Sequence, residues 1–98
     1  MNEMRFEWDQ RKNRDNQRKH GVSFEEAQSV FYDQQAVEFY DDSHGDNTED
    51  RFLLLGVSGR LRVLMVCHCL RQARSVIRII SDRKATRNEQ REYPWGTS

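Results

Sequence analysis

The order of apolar and polar residues divides the chain into an N-terminal helical part and a C-terminal part of strands. Residues 4–8 alternate apolar and charged side chains, which is typical of a short edge strand. A helix is predicted from about residue 10 to Lys19, because Asp9 is a suitable N-cap and Gly21 suits the left-handed conformation that commonly ends a helix.

The predicted first helix is unusual because it has no apolar residue between Gln10 and His20. A helix that is polar on every side has little surface to bury. We therefore expect it to be mostly exposed, docked through Trp8 or His20, or stabilised by a partner.

Two further helices are predicted from their N-terminal signals. Ser23 and Glu26 form a capping box at the start of the second helix, and Thr86 and Glu89 form another at the start of a helix that ends before Pro94. The second helix also carries apolar residues at helical spacing, which predict one face packed on the core: Phe24, Ala27, Val30 and Phe31.

Between the second and third helices the apolar pattern changes to a period of two. Strands are predicted at residues 36–40, 51–57, 61–69 and 75–81, with a polar loop at 41–50. Short connections between the last three strands favour an antiparallel meander. The chain is thus predicted to be one α+β domain over residues 1–98, with two N-terminal helices, an antiparallel sheet of about four strands, a C-terminal helix and a tail at 94–98.

The last predicted strand carries an arginine inside a nearly continuous apolar run. Ile77 and Ile79 point to one face of the sheet, whereas Val76, Arg78 and Ile80 point to the other. The predicted helices are too few to cover both faces, so the uncovered face is where a ligand would bind. A guanidinium held there is costly unless an anion meets it, which makes Arg78 a candidate phosphate ligand.

Charge is segregated along the chain, although 16 basic and 16 acidic residues give a formal net charge of zero. Residues 33–50 contain seven acids and neither Lys nor Arg, residues 60–91 contain nine bases against two acids, and residues 11–19 contain five bases and one acid. This segregation favours a local positive field that attracts polyanions. The alternative is a solvated surface on which the bases pair with the acidic segment, and it is the favoured one for Arg87 and Arg91.

Membrane, secreted and metal-binding classes are disfavoured. No apolar stretch reaches the roughly 18 residues that span a bilayer, and the N-terminus lacks the apolar core of a secretion signal, so the cytoplasm is the expected location. Cys67 and Cys69 share a strand face at the limit of disulfide geometry and are expected to be reduced. His68 points away from both thiols, so we expect no metal site, and the scattered glycines predict no nucleotide cofactor.

An ordered set of short motifs resembles the BrnT family of bacterial toxins over residues 6–93. The motifs occur at 7–9 (EWD), 19–27 (KHGVSFEEA), 30–33 (VFYD), 42–44 (DSH), 49–51 (EDR), 55–58 (LGVS), 77–81 (IRIIS), 83–86 (RKAT) and 92–93 (EY). The resemblance implies a RelE-like ribonuclease fold and metal-independent RNA cleavage that arrests translation. It also implies neutralisation by a ribbon-helix-helix antitoxin similar to BrnA, in a complex expected to be a heterotetramer.

The chain departs from this family in two places. Members commonly have a small residue where this chain has Asp82, and they have apolar residues inside the first helix, where this chain has none. The first departure is expected to place a carboxylate beside the phosphate site. The second suggests altered packing or an altered partner contact.

Cleavage of RNA without a metal requires stabilisation of a dianionic phosphorane, in addition to two proton transfers. Arginine suits this task, because its fork of donors binds two phosphate oxygens and stays charged. Arg78, Arg83 and Lys84 are predicted to converge on one phosphate, helped by the positive N-terminus of the third helix. Lys19 and His20 are predicted to add contacts to RNA.

The proton-transfer groups are less clearly indicated. His44 in the acidic loop is a candidate general acid or base, and Glu49 either acts as a base or holds Arg51 or Arg78 in place. We favour Glu49 and Arg51 as contributors. His20 is favoured as a helix-capping residue, and His68 as a core histidine on the face of Leu64 and Val66.

The preferred hypothesis is an endoribonuclease toxin that inhibits translation by 2′-hydroxyl attack on RNA. The first alternative is a module without catalysis whose basic surface binds nucleic acid or an acidic partner chain. The second is that the polar first helix serves only a protein interface.

Overall fold

One mixed sheet of five strands organises the fold, in a computed structural model that describes residues 4–42, 50–73 and 75–96. The strands are β1 (Arg5–Glu7), β2 (Val37–Asp41), β3 (Arg51–Val57), β4 (Val63–Arg71) and β5 (Val76–Lys84), in the order β1-β5-β4-β3-β2. The helices are α1 (Gln10–His20), α2 (Phe24–Val30) and α3 (Arg87–Gln90). The predicted α+β class and the antiparallel order of β2 to β5 are confirmed.

The sheet has one strand more than the predicted four. β1 pairs in parallel with β5, with Glu7 opposite Arg78. The N-terminal segment was expected to be an edge strand, but alternation alone does not identify the strand it joins or its direction. Its parallel pairing makes the sheet mixed and brings the start of the chain beside the last strand.

The main core lies between the sheet and the N-terminal helices. Its buried residues come from α2, the segment before it and the helix-facing side of the strands: Val22, Phe24, Ala27, Val30, Leu54, Leu64, Val66, Ile77 and Ile79. A smaller cluster of Leu55, Met65, Ala85 and Tyr93 lies on the opposite face, which the C-terminal segment covers at one end. The other end of that face carries no helix among the described residues.

The predicted helix ends are confirmed with one difference. The Asp9 carboxylate accepts from the backbone N–H of Arg11 at 2.8 Å, and Gly21 ends α1 at a φ of 72°. Thr86 and Glu89 form both bonds of a capping box. At Ser23 only one bond of the box is described, because the Glu26 carboxylate binds Ser58 and Arg62 instead.

The polar helix α1 is mostly exposed, as one of the alternatives from the sequence had it, and two asparagines dock it, while Trp8 just before the helix packs on the main core. Asn13 accepts from the backbone N–H of Phe24 at 2.9 Å and donates to Glu25 at 3.0 Å. Asn16 donates to the carbonyl of Asp82 at 2.9 Å and accepts from its N–H at 3.2 Å. Its amide thus pairs with the backbone of β5 beyond the end of β1, as a strand would, and covers that edge.

Alanine at Gly56 is expected to destabilise the fold by about 1–3 kcal/mol, the usual cost of overpacking a core. A Cβ there would lie 2.8 Å from Val30 Cγ1 and 3.0 Å from Ala36 Cβ. The shift of the urea midpoint measures the effect. Gly59→Ala is the matched control, because its new Cβ would lie 3.5 Å from Ser29, an ordinary contact. Equal midpoints for both variants would contradict the close approach of α2 to β3.

None of the described helices is long and apolar enough to cross a bilayer.

Candidate active site

A row of polar side chains crosses the sheet face that the N-terminal helices do not cover. Register places Asp41, Arg51, Cys69, Arg78 and Glu7 opposite one another on the five strands. Alternation from the helix-facing core residues puts all five on the uncovered face. We call this set the arginine row.

Arg78 is the best-described member of the arginine row. Its Nη1 lies 3.1 Å from Glu7 Oε2, and 31% of its side chain is exposed. Arg71 approaches the same carboxylate from β4, at 3.7 Å. The Arg78 guanidinium is therefore partly exposed, with Glu7 in contact and Asp9 near enough to interact electrostatically. At this exposure such ion pairs contribute little to stability, so an incoming phosphate can compete for the guanidinium.

One strand, β4, lies between Arg51 and Arg78, and its Cys69 is directly opposite each of them. Adjacent strands lie roughly 5 Å apart, so the two Cα atoms are about 10 Å apart. Two arginine side chains at that spacing can extend toward one phosphate between them. Cys69 is fully buried in this row, and neither cysteine forms a disulfide.

A bulge in β5 determines the position of Arg83. His68 faces Ile79 and Cys67 faces Ser81, so Ile80 is the extra residue. Without the extra residue, Arg78 and Arg83 would point to opposite faces, since they are an odd number of positions apart. The bulge places both on the uncovered face. They remain about 13 Å apart along the strand, because their partners Cys69 and Met65 are four residues apart on β4 at roughly 3.3 Å per residue.

Arg83 is engaged by the C-terminal helix. Its two terminal nitrogens each bind one oxygen of Glu89, both at 2.8 Å. This ion pair and the capping bonds from Thr86 lower the pKa of Glu89 to about 2. Glu89 therefore already occupies the positive N-terminus of α3 that was expected to help bind phosphate. Lys84 is exposed and, as the next residue along β5, points to the helix side of the sheet.

The structure thus separates the three cations predicted to converge on one phosphate. Arg78 lies in the arginine row, Arg83 lies against α3, and Lys84 faces the other side. Among the described residues, the carboxylates near Arg78 are Glu7 and Asp9 and the one bound by Arg83 is Glu89, and these three lie outside the acidic segment 33–50. Arg51, which was proposed as a contributor, is the cation that the fold brings into the row with Arg78.

The histidines and the remaining candidates occupy different places. His68 is buried against the rings of Phe31 and Phe52, and burial lowers its pKa, which agrees with the predicted core histidine. Lys19 and His20 lie in the last turn of α1. His44 and Glu49 lie outside the described residues.

Among the described residues, no group of three His, Cys, Asp or Glu side chains is placed to hold a metal ion. A shallow depression of about 220 Å³ lies at the β1 end of the arginine row. It is lined by Arg5, Phe6, Glu7, Gln72 and Val76. One end of the row thus adjoins a small, partly polar depression.

Residues 8–89 match the family described as "Ribonuclease toxin, BrnT, of type II toxin-antitoxin system". The chain belongs to the BrnT family. Its fold is similar to the crystal structure of the Brucella abortus ribonuclease toxin BrnT, with a TM-score of 0.64 and 22% identity over 87% of this chain and 100% of that one. No curated protein matches the sequence significantly. A BrnT toxin of a type II system acts on RNA and has an antitoxin partner.

The two places where the chain was expected to depart from the family, Asp82 and the polar helix α1, contact each other. Asp82 is buried on the helix side of the sheet, where the Asn16 amide of α1 binds both its backbone and its carboxylate. The carboxylate therefore does not lie beside Arg78 or Arg83, contrary to the expectation from the sequence. Burial, and then the nearby Glu26, raise the pKa of Asp82 to about 8. It is thus mostly protonated at neutral pH.

Sequence reasoning did not identify Glu7 as a site residue in this BrnT chain. Glu7 belongs to the first motif of the resemblance, and alternation in residues 4–8 already separates it from the face of Phe6. Its contact with Arg78 depends on β1 pairing with β5. No pattern within β1 indicates that pairing.

Proposed function

We propose that this BrnT chain is a metal-independent endoribonuclease toxin that cleaves RNA on the uncovered sheet face and thereby inhibits translation. The arginine row is the observation that supports the proposal. It brings Arg51 and Arg78 to one side of three adjacent strands, with Cys69 between them. Attack by the 2′-hydroxyl on the adjacent phosphorus would leave a 2′,3′-cyclic phosphate and a free 5′-hydroxyl.

In this mechanism the arginines stabilise the phosphorane. Its negative charge increases in the transition state, and fixed donors aimed at that charge are the largest single catalytic contribution in many enzymes. Arg78 is held in the row by its strand, so its backbone need not move when a phosphate takes the place of Glu7. Arg51 approaches from the other side of Cys69 and can contact a second non-bridging oxygen.

The proton transfers are assigned to carboxylate and imidazole groups. Glu7 brings a carboxylate to Arg78, and Glu49 and His44 remain proposed general acid or base groups. Arg83, Lys84, Lys19 and His20 remain proposed RNA contacts. Arg83 would have to exchange its bonds to Glu89 for bonds to a phosphate.

A second candidate function is binding without cleavage. It is favoured by one observation: both Arg78 and Arg83 already have carboxylate partners. In that case the basic surface would hold nucleic acid or an acidic partner chain, and the arginine row would be an ordinary ion-pair network on an exposed sheet.

The proposed partner is a ribbon-helix-helix antitoxin similar to BrnA, forming a heterotetramer in the cytoplasm. Membership in a type II toxin-antitoxin family supports an antitoxin as such. Size-exclusion chromatography with light scattering on the co-expressed pair measures the stoichiometry directly.

Incubation of the purified chain with single-stranded RNA in excess EDTA tests the function. Fragments with 2′,3′-cyclic phosphate ends are expected, because the attacking group belongs to the RNA and the charged groups to the protein. The double variant Arg51→Ala/Arg78→Ala, purified identically, controls for contaminating nucleases. Intact RNA at every protein concentration, with retained RNA binding, would favour the second candidate.

A further inference from the structure

The outward face of α1 carries a stripe of arginines. Asn13 and Asn16 point inward, since both are buried and bonded to the rest of the fold. At 100° per residue, Arg11, Arg14 and Arg18 project from the opposite side, and all three are exposed. They extend over about 10 Å of helix, at 1.5 Å per residue.

This helix concentrates positive charge in a chain whose formal net charge is zero. Five cations lie between Gln10 and His20, against the single carboxylate of Asp15. Asp15 pairs with Arg18 at 3.5 Å, but the two side chains are 61% and 78% exposed. Such an exposed pair is weak and leaves the guanidinium available to another anion.

Some of these cations oppose the stability of the helix, although Arg18 and Lys19 in its last turn favour it. Arg11 and Lys12 lie in the first turn, beside the positive end of the helix dipole, and the first turn has no acidic residue. Arg14 and Arg18 are four residues apart, where like charges repel. Together with the missing apolar stripe, these are three local violations of helix design, which in natural proteins concentrate at functional sites.

The position of α1 indicates which anion it meets. Its Asn16 side chain pairs with the backbone of Asp82, so the helix runs along the edge of β5, the strand that carries Arg78. An RNA strand on the uncovered sheet face that crosses this edge would meet the outward face of α1 next. A stripe of guanidiniums spaced along a rigid helix suits successive phosphates, which arginine binds bidentately.

We propose that Arg11, Arg14 and Arg18 form an RNA-backbone track that continues from the arginine row. The proposal rests on the proposed ribonuclease function, because it assigns the same RNA to both surfaces. The track contacts phosphates only, so it contributes affinity without reading sequence. It is separate from Lys19 and His20, which lie on the flank and the inner side of the helix.

Salt-dependent binding of a single-stranded 2′-O-methyl oligonucleotide tests the track, since a blocked 2′-hydroxyl prevents cleavage. The triple variant Arg11→Gln/Arg14→Gln/Arg18→Gln is expected to reduce the slope of log affinity against log salt by about 2, at about 0.7 for each lost phosphate contact. The control is Arg60→Gln/Arg87→Gln/Arg91→Gln, which removes three exposed cations elsewhere. Its slope should stay within about 0.7 of the parent value.

A single variant separates a binding role from a structural one. Arg11→Glu places a carboxylate at the positive end of the helix dipole, so the melting temperature is expected to hold or rise. The affinity for the oligonucleotide is expected to fall at the same time. A loss of melting temperature together with affinity would indicate a structural arginine and overturn the proposal.

Two further outcomes separate this inference from the function on which it rests. If the parent chain does not cleave RNA but the α1 triple variant shows the expected slope change, the track is supported and the nuclease function is contradicted. If the parent chain cleaves RNA but the triple variant has an unchanged slope and an unchanged KM, the nuclease function is supported and the track is contradicted. Loss of antitoxin affinity with unchanged oligonucleotide affinity would overturn the track in favour of a protein interface.

Discussion

Replacing Arg78 with alanine is expected to lower kcat for RNA cleavage by about 10²–10³-fold, the usual effect of removing one donor that stabilises an oxyanion. The guanidinium lies 3.1 Å from Glu7 and is 31% exposed, so the ion pair itself contributes at most about 1 kcal/mol to stability. The melting temperature should therefore fall by less than about 8 °C. Loss of activity in a folded chain is measured by initial rates with RNA, alongside thermal denaturation.

Two further variants test whether the effect on kcat is specific to the Arg78 guanidinium. Arg78→Lys keeps the charge but loses the two-pronged geometry, so its rate should lie between those of the parent and the alanine variant. Arg87→Ala removes an exposed cation from α3 and should leave kcat unchanged. A parent-like rate for Arg78→Ala would place the reacting phosphate away from the arginine row.

Replacing Asp82 with asparagine is expected to stabilise the chain increasingly as the pH rises from 4 to 8. The pKa of this carboxyl is raised from 3.8 to about 8 in the folded chain, because the group is buried and Glu26 lies nearby, while Asn16 and Arg62 oppose the shift. The folded chain thus holds a proton that the unfolded chain releases above its ordinary pKa. The stability that this one group contributes is then greatest below pH 4, falls as the pH rises, and reaches its minimum above pH 8.

The expected size of this effect is several kcal/mol, since one pKa unit corresponds to about 1.4 kcal/mol. Between pH 5 and pH 8.5 the melting temperature of Asp82→Asn should therefore gain about 10–20 °C relative to the parent chain. Asp15→Asn removes an exposed carboxylate from α1, the helix that contacts Asp82. Its melting temperature should equal that of the parent at both pH values. If the melting temperatures of Asp82→Asn and the parent change equally with pH, the carboxyl is ionised in the folded chain and the prediction is wrong.

The helix boundaries could be predicted from the sequence because the interactions that set them are local. Asp9, Gly21 and the Thr86–Glu89 pair act on backbone groups within four residues, and the structure has all of them in place. The half-formed box at Ser23 shows the limit. The Glu26 carboxylate of that box binds Arg62, a residue 36 positions away, and no pattern near Ser23 predicts this interaction.

The candidate site could be predicted from the sequence only in part. Alternation along β5 correctly separated Arg78 from Ile77 and Ile79, because side-chain direction in a strand depends only on neighbouring positions. The position of Arg83 depended on the bulge at Ile80, which arises from pairing with β4. The partners Glu7 and Glu89, and the pairing of Asp82 with Asn16, also required knowledge of distant contacts.

By itself, the sequence determined the α+β class, most of the helix caps, the meander of β3 to β5 and the resemblance to the BrnT family. Periodicity, capping and turn chemistry act over a few residues and can be read from the chain. Tertiary structure alone decided that β1 joins β5 in parallel, that two asparagines dock a helix without apolar residues, and that Arg51 rather than Arg83 shares the row of Arg78. These features depend on register between distant strands and on which buried polar groups find partners, both of which are fixed only when the whole core packs.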